Sequence, residues 1–531
     1  MISCKLNLKT CDGLPIFSDN TYKWIDGSHL SILDNPNITS MLFHSIERWI
    51  CIVSTTPHST KSNQHIVCKN LSHADLSKIY NEFSSIKSEG LLIEFVTGQN
   101  GNILRAIATN EGSIPIYFCN TRNTVNLNWD FREIASTKQS LILDFEYLVK
   151  STFEPTYTHR TAFQGISMLT AGSSCTFSDE CGEYKYPKPE EPSPHKILDI
   201  CPDEAAKIFS ELLQKKLSSQ LTKECKIAIE LSGGLDSSTV AMSCAQHFTK
   251  VKLNTYGIIV SDPLLAKSQQ FRRNTIIESI NGNDHKINIK DHLPLISSPS
   301  KDKYYLNSEA YGSAFESIWN QAANDGQSIL INGCGGDELF PQFPDEDFST
   351  DRLRSIDDRS WLLYNQHLMN RITPRAQDVL CSHLLLRAPH KNVDTGMLLA
   401  MARRAPLLLS FNLIPVYPLR DNEIINFCSA LPVNLRLNKT LFTHFLNKKT
   451  QSSVFTNYPK ETFMHADEIS LLKQKKALIS KCKNFKVVDI DLINKKTLIQ
   501  DLEQLNTKTP RHIFDYLLNI LAIERFLGAY L

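Results

Sequence analysis

The chain has 531 residues, with 57 Lys and Arg against 56 Asp and Glu and a formal net charge of +1. Apolar residues make up 42% and charged residues 21%, a globular balance that excludes a disordered or fibrous protein. Near-neutral charge argues against a dedicated nucleic-acid or anionic-membrane binder, since both need a basic surplus. At roughly 100–200 residues per domain, the length suggests two to four domains.

No run of about 18 uncharged apolar residues exists, so a spanning helix is not expected. The most apolar stretch, 397–416, is broken by Arg403, Arg404 and two prolines. The first residues lack an apolar signal core and a small-residue cleavage site, so a cytoplasmic location is expected. The 14 cysteines are scattered without a CxxC pair. They read as free thiols acting as small buried residues.

In chain order, residues 1–185 read as β-rich. Apolar runs at 49–54 and 91–96 alternate with turn signals. Gly98-Gln99-Asn100-Gly101-Asn102 separates 91–96 from 103–108, the pattern of a hairpin. Residues 186–199 read as a linker, because Pro187, Pro189, Pro192 and Pro194 permit neither a helix nor a central strand. Residues 203–221 are predicted as a helix, with Pro202 near its start. Strand 227–231, helix 239–249, strand 253–260, helix 271–280 and strand 328–331 follow. This alternation predicts an α/β fold with a parallel, doubly wound sheet. From about 351 the pattern is mainly helical, ending in 513–531.

Two glycine turns carry the chemistry. Strand 227–231 runs into Ser232-Gly233-Gly234-Leu235-Asp236-Ser237-Ser238. Two glycines let the backbone approach an anion and turn sharply. Their N–H groups and the start of the next helix form a nest for phosphate. Asp236 would repel a bare phosphate, so its presence points to a bridging Mg²⁺. Strand 328–331 runs into Asn332-Gly333-Cys334-Gly335-Gly336-Asp337-Glu338. In an open α/β sheet both turns fall at the ligand-binding edge. Asp236 and Asp337 could then share one Mg²⁺ across a polyphosphate.

These two segments resemble the asparagine synthetase family, which includes asparagine synthases, β-lactam synthetases and lasso-peptide macrolactam synthetases. Thr161-Ala162-Phe163-Gln164-Gly165-Ile166 with Ala171-Gly172 is similar to the close of that family's N-terminal glutaminase-like domain. Asn283-Asp284-His285 resembles its usual turn before a strand. Tyr417-Pro418-Leu419-Arg420-Asp421 resembles its Pro-Phe-Leu-Asp segment, followed by Leu431-Pro432. Pro459-Lys460-Glu461-Thr462-Phe463 resembles its late lysine motif. The resemblance implies an Ntn-hydrolase-like sandwich over residues 1–185 and a PP-loop ATP pyrophosphatase-type synthetase over 200–531.

It also implies roles. Ser232, Gly233, Gly234, Asp236 and Ser237 would cradle the pyrophosphate of ATP. Leu231, Ile258 and Gly333 would contact the adenosine. Asp236 and Asp337 would hold Mg²⁺. Lys460 would stabilise charge during amide formation, with Lys439 a lesser candidate for the same pocket. Glu338 and Cys334 complete the set of candidate catalytic residues. The reaction implied is adenylation of a carboxylate, release of pyrophosphate, and attack by an amine with loss of AMP.

The chain departs from the family in two places. Glutamine-dependent members begin Met-Cys, and the freed cysteine is the nucleophile. Here residue 2 is Ile2, and Cys4 lies further in. Where the family has an Arg-Asp-x-x-Gly loop, this chain has Ala108-Thr109-Asn110-Glu111-Gly112. A glutaminase without activity is expected. Cys334 stands where asparagine synthetases carry Glu and β-lactam synthetases Tyr. A small neutral thiol cannot anchor an ammonium by an ion pair.

The reading drawn from these residues is a lasso-type macrolactam cyclase acting on a precursor peptide. The resemblance implies a leader protease and a leader-binding partner. Asparagine synthesis from ammonia and amide formation on a small molecule are the alternatives. A catalytically silent scaffold is the remaining one.

Overall fold

The computed structural model describes the chain except residues 56–65, 69–71, 100, 154, 179–181, 189–195, 297–309, 342–353, 383–386 and 390–394. Pro189, Pro192 and Pro194 of the predicted linker therefore lie outside the described residues, as does the predicted start of the helical part at 351.

The first 185 residues form two seven-stranded sheets. One runs in the order Ser167–Leu169, Ile116–Thr121, Thr124–Asn128, Ile2–Asn7, His29–Ile32, Thr21–Lys23, Ile16–Ser18. The other runs Gly182–Lys185, Ser174–Phe177, Ile103–Ala108, Gly90–Val96, Arg48–Ser54, Thr39–His44, Ile66–Cys68. The predicted hairpin is present, with Val96 opposite Ile103. Strand Ile2–Asn7 shows why the sheets stack: Ile2, Cys4 and Leu6 are buried while Lys5 is exposed. The buried faces meet in one core, where Trp24 contacts Trp49 and Phe118 contacts Phe177.

A parallel sheet follows. Its strands are β1 (Ile227–Glu230), β2 (Asn254–Ile259), β3 (Asn283–Asn288), β4 (Ile329–Ile331) and β5 (Ile414–Val416). They lie in the order β3-β2-β1-β4-β5, and every neighbouring pair is parallel. The helices that position the site are α1 (Pro202–Gln220), α2 (Leu235–His247), α3 (Pro263–Ile280), α4 (Gly312–Asn324) and α5 (Thr395–Ser410). In α1, Pro202 starts the helix and Asp203 and Glu204 sit in its first turn, where an N-terminus favours them.

The period of two along β1 divides the helices between the faces. Ile227 and Ile229 join a core with Phe209, Leu213 and Val240. Ala228 joins another with Trp319 of α4 and Leu408 of α5. Helices therefore cover both faces, which is why these strands read as continuous apolar runs.

Three expectations change. The second helix starts at Leu235, directly after Gly234, so Asp236, Ser237 and Ser238 belong to its first turn. Asn283-Asp284-His285 is not a turn: Asn283 already pairs with Asn254 at the start of β3. The chain reverses earlier, at Asn281, whose φ is 48°. Within the region expected to be helical, Ile414–Val416 forms β5. Pro415 fits there because β5 is the edge strand and needs no outward N–H.

The boundary at 185 does not separate two cores. Phe131 and Phe163 pack on Phe526 of the last helix, Arg511–Tyr530. Among the described residues, no helix is long and apolar enough to cross a membrane. The described cysteines are free.

Candidate active site

β1 has β2 on one side and β4 on the other, so the glycine turns after β1 and β4 are adjacent at the point where strand order reverses. Crevices of this kind take ligands in doubly wound sheets. In the first turn Gly233 has φ 87°, which a side chain would oppose. Hydroxyls tie the turn together. The Ser232 N–H donates to Ser237 Oγ at 3.1 Å, and the Gly234 N–H donates to Ser232 Oγ at 3.2 Å. Gly234 is the N-cap of α2 and has no side chain to cover the helix's first N–H groups.

In the second turn the Cys334 N–H donates to Asn332 Oδ1 at 3.0 Å. The turns touch. A Cβ at Gly336 would lie 2.3 Å from Asp236 Cγ, and one at Gly333 would lie 2.6 Å from the Ser237 nitrogen. Glycine is required there because another side chain has no room. Gly336→Ala is therefore expected to push Asp236 from its place and abolish Mg·ATP binding while the protein still folds. Calorimetry beside a thermal melt checks this.

Asp236 and Asp337 converge on one point, and the Lys439 ammonium sits there. Its Nζ lies 2.6 and 2.7 Å from the two Asp236 oxygens and 2.5 Å from Asp337 Oδ1. Lys439 has φ 55° and Asn438 before it φ 53°, two successive left-handed residues of a kind that clusters at functional sites. Lys460 is more remote, 4.0 Å from Asp337, with its side chain 83% exposed. The lesser lysine candidate is thus the one in direct contact with both aspartates.

Burial raises the Asp236 carboxyl above the usual aspartate range, and Asp337 adds to this while Lys439 opposes it. Burial also works against the Asp337 charge, but Lys439 outweighs it and the shift is downward. Burial opposes the charge on Lys439 as well; the two carboxylates more than offset it and hold the ammonium protonated.

These carboxylates fit a Mg²⁺ site. Mg²⁺ takes one or two protein carboxylates and completes its shell with water and phosphate oxygens. Among the described residues, no cluster of three or more His, Cys, Asp and Glu offers a full protein cage. The donor set therefore suits a metal that arrives with a nucleotide, provided Lys439 moves off the shared point.

A cavity of about 1160 Å³ opens over the turns. Leu231, Ser232, Gly234, Asp236, Ile258, Asp337, Lys439 and Lys460 line it. Gly233, Ser237 and Gly333 form the turns behind that lining. Cys334 is half-buried beside Met397 and Tyr417, with its Sγ 3.9 Å from Arg404 Nη1. Glu338 is exposed. Neither is part of the cavity wall.

The structure adds residues that sequence reasoning passed over. Glu230 and Arg404 line the cavity, 3.7 Å apart. The Trp319 indole N–H donates to Glu230 at 3.3 Å, and Arg404 stacks over Phe315. A charged residue at the end of an otherwise apolar strand was the available signal for Glu230. Arg404 was visible as a break in an apolar stretch, but its partner lies 174 positions away by number (404 − 230). Tyr458 and Arg272 are the others, and nothing local in the sequence marked them.

In the N-terminal unit, Cys4 is buried, and burial pushes its thiol up to about 12. The loop Ala108-Thr109-Asn110-Glu111-Gly112 faces the second half of the chain. Glu111 Oε1 lies 3.5 Å from Lys216 Nζ of α1, and Glu111 Oε2 lies 3.9 Å from Arg420 Nη1. Arg420 also donates to the Glu111 carbonyl. Lys216 donates to the Lys87 carbonyl at 3.0 Å and lies 3.6 Å from Asp421.

The fold is a parallel α/β sheet with two glycine turns and two aspartates meeting at its switch point. Residues 209–380 match the family model described as Asparagine synthase. No curated protein matches. Distant likenesses exist among solved structures. One is a U34-tRNA thiolase, NcsA, from Methanococcus maripaludis with its 4Fe-4S cluster. It shows 12% identity, covering 58% of this chain and 81% of that one, with TM-score 0.26. Another is an NH3-dependent NAD synthetase from Campylobacter jejuni, with 13% identity, 41% and 99% coverage and TM-score 0.19. A third is an NMN synthetase from Francisella tularensis, with 12% identity, 50% and 100% coverage and TM-score 0.18.

Proposed function

We propose that the chain is an ATP-dependent, AMP-forming amide synthetase. One observation carries this reading: Asp236 and Asp337 converge on a single cation where two touching glycine turns meet at the sheet's switch point. The Ser232–Ser237 turn and the start of α2 receive the leaving pyrophosphate through backbone N–H groups. Leu231 and Ile258 receive the adenosine. Mg²⁺, held by Asp236 and Asp337, supplies charge neutralisation when bound. Lys439 and Lys460 offer cations to the phosphates and to charge developing at the acyl carbon. The carboxylate substrate attacks the α-phosphorus, and an amine then displaces AMP.

The finer reading is a macrolactam synthetase, in which a peptide's side-chain carboxylate is activated and its own N-terminal amine attacks. It is supported by a cavity of about 1160 Å³, larger than the roughly 300–1,000 Å³ usual for one small ligand. A second reading, asparagine synthesis from ammonia, is favoured by Glu230 and Arg404, whose opposite charges suit a free amino acid.

The test is AMP and pyrophosphate formation from Mg·ATP with aspartate plus ammonium, with aspartate plus glutamine, and without amino acid. Turnover that needs aspartate and ammonium would sink the peptide reading. Mg·ATP binding without aspartate dependence supports it. A protein that does not bind Mg·ATP would end both readings.

A pH dependence follows from the opposite shifts of the two aspartates. Protonation of Asp236 removes a metal ligand, and its pKa lies above the ordinary 3.8. Asp337 titrates below that value. Mg·ATP affinity is therefore expected to fall in two steps on acidification, the first beginning above the ordinary aspartate range. Calorimetry across pH reads both steps, and Asp236→Asn should remove the upper one.

A further inference from the structure

Lys460 is poorly held by its own contacts. Its side chain is 83% exposed, and the Asp337 carboxylate is 4.0 Å away. Tyr458, two residues before Lys460, and Glu461, directly after it, are held instead, both by Arg272. This side chain is 1% exposed, inside α3, behind the first glycine turn. Its Nε donates to the Gly233 carbonyl at 2.8 Å, and its Nη1 donates to Ser268 Oγ at 2.7 Å. Its Nη2 pairs with the Glu461 carboxylate. The guanidinium carbon lies over the Tyr458 ring, 3.8 Å from the centroid. Tyr458 in turn accepts the Leu235 N–H at the start of α2, at 3.2 Å.

A planar guanidinium has five donors in a rigid fork and an aromatic-stacking face, so it can tie several groups into one geometry. Here it ties together the phosphate-side turn and the segment 458–461. A peptide plane held by its carbonyl turns its N–H the other way. The Gly233 carbonyl is held by Arg272, while the Gly234 N–H on the other side of that peptide donates to Ser232 Oγ. The grip on Tyr458 and Glu461 sets where the backbone of Lys460 starts.

We infer that Arg272 is a positioning residue for Lys460, setting the distance between that lysine and the phosphate-side turn. The inference rests on the nucleotide reading above. Neither the local sequence nor the cavity lining gives it, because Arg272 does not face the cavity.

The test is a double-mutant cycle on the full chain, reading Mg·ATP affinity by calorimetry. Arg272→Gln and Lys460→Ala are each expected to weaken binding roughly tenfold, the scale of one charge-assisted contact. In the Lys460→Ala background the Arg272→Gln loss should shrink to less than about twofold, because both changes remove the same interaction. Equal losses in both backgrounds would overturn the inference, and so would a silent Lys460→Ala. If Arg272→Gln does not fold, Glu461→Gln replaces it in the cycle, since it leaves Arg272 bonded to Gly233 and Ser268. Arg272→Lys keeps the charge but not the fork, and should rescue less than half of the loss. Full rescue would overturn the geometric account. Wild-type protein that does not bind Mg·ATP would overturn the nucleotide reading itself, a result distinct from additive losses in a protein that binds.

Discussion

Replacing Lys439 with methionine is expected to change metal binding and turnover in opposite directions. In the present geometry the Lys439 ammonium satisfies both Asp236 and Asp337 within 2.7 Å. It occupies the point a divalent cation would take. Removing it leaves two carboxylates facing each other, and like charges at such range strongly favour a cation between them. Affinity for Mg²⁺ without nucleotide should rise about tenfold, as one competing unit charge is lost near the protein surface. Turnover should fall roughly 10²–10³-fold, the loss seen when one preorganised donor to developing charge is deleted. Metal titration of the variant, beside pyrophosphate release, reads both effects. A fall in Mg²⁺ affinity would mean that Lys439 supports the metal site instead of competing with it.

Lys216→Ala should cost the most stability of any single charge change at the contact between the two halves. Its side chain is 2% exposed and serves the Lys87 carbonyl, Glu111 and Asp421 at once. Removing it strands two carboxylates, with Arg420 near Glu111 as partial relief. Breaking one side of a buried ion pair costs about 3–5 kcal/mol, and the lower end is expected here. Urea denaturation reads the loss. Lys216→Met keeps the apolar stem and should lose less of the packing, with the carboxylates still stranded. If both variants match the wild type, the contact between the halves does not depend on this charge.

The local rules of the chain carried far. The alternation of short apolar strands with helices predicted the parallel sheet, and the two glycine turns meet at one edge of it, as their places after strands implied. Strand β5 was hidden because the apolar run at 397–416 has no clear period and its Pro415 argued against a central strand. Only the sheet order shows β5 to be an edge. Asn283-Asp284-His285 looked like a turn because polar residues dominate it; pairing with β2 overrides that propensity. At the site, Asp236 and Asp337 could be read because each follows a glycine turn. Lys460 was placed ahead of Lys439 on motif resemblance, whereas which of them meets the aspartates depends on where two distant loops fold back. Arg272 and Glu230 act across α3 and α4, through partners that no local pattern names.

The loop 108–112 has one more consequence. Through Glu111 this loop acts as a charged strut against α1 and Arg420. The apolar packing of Phe131 and Phe163 on the last helix ties the same two halves at a second place. The front half thus braces the back half at two places. Cutting the chain near 185 would not release a smaller synthetase. It would uncover the charged face of α1 and one side of the helix Arg511–Tyr530, and a fragment of that kind is expected to aggregate.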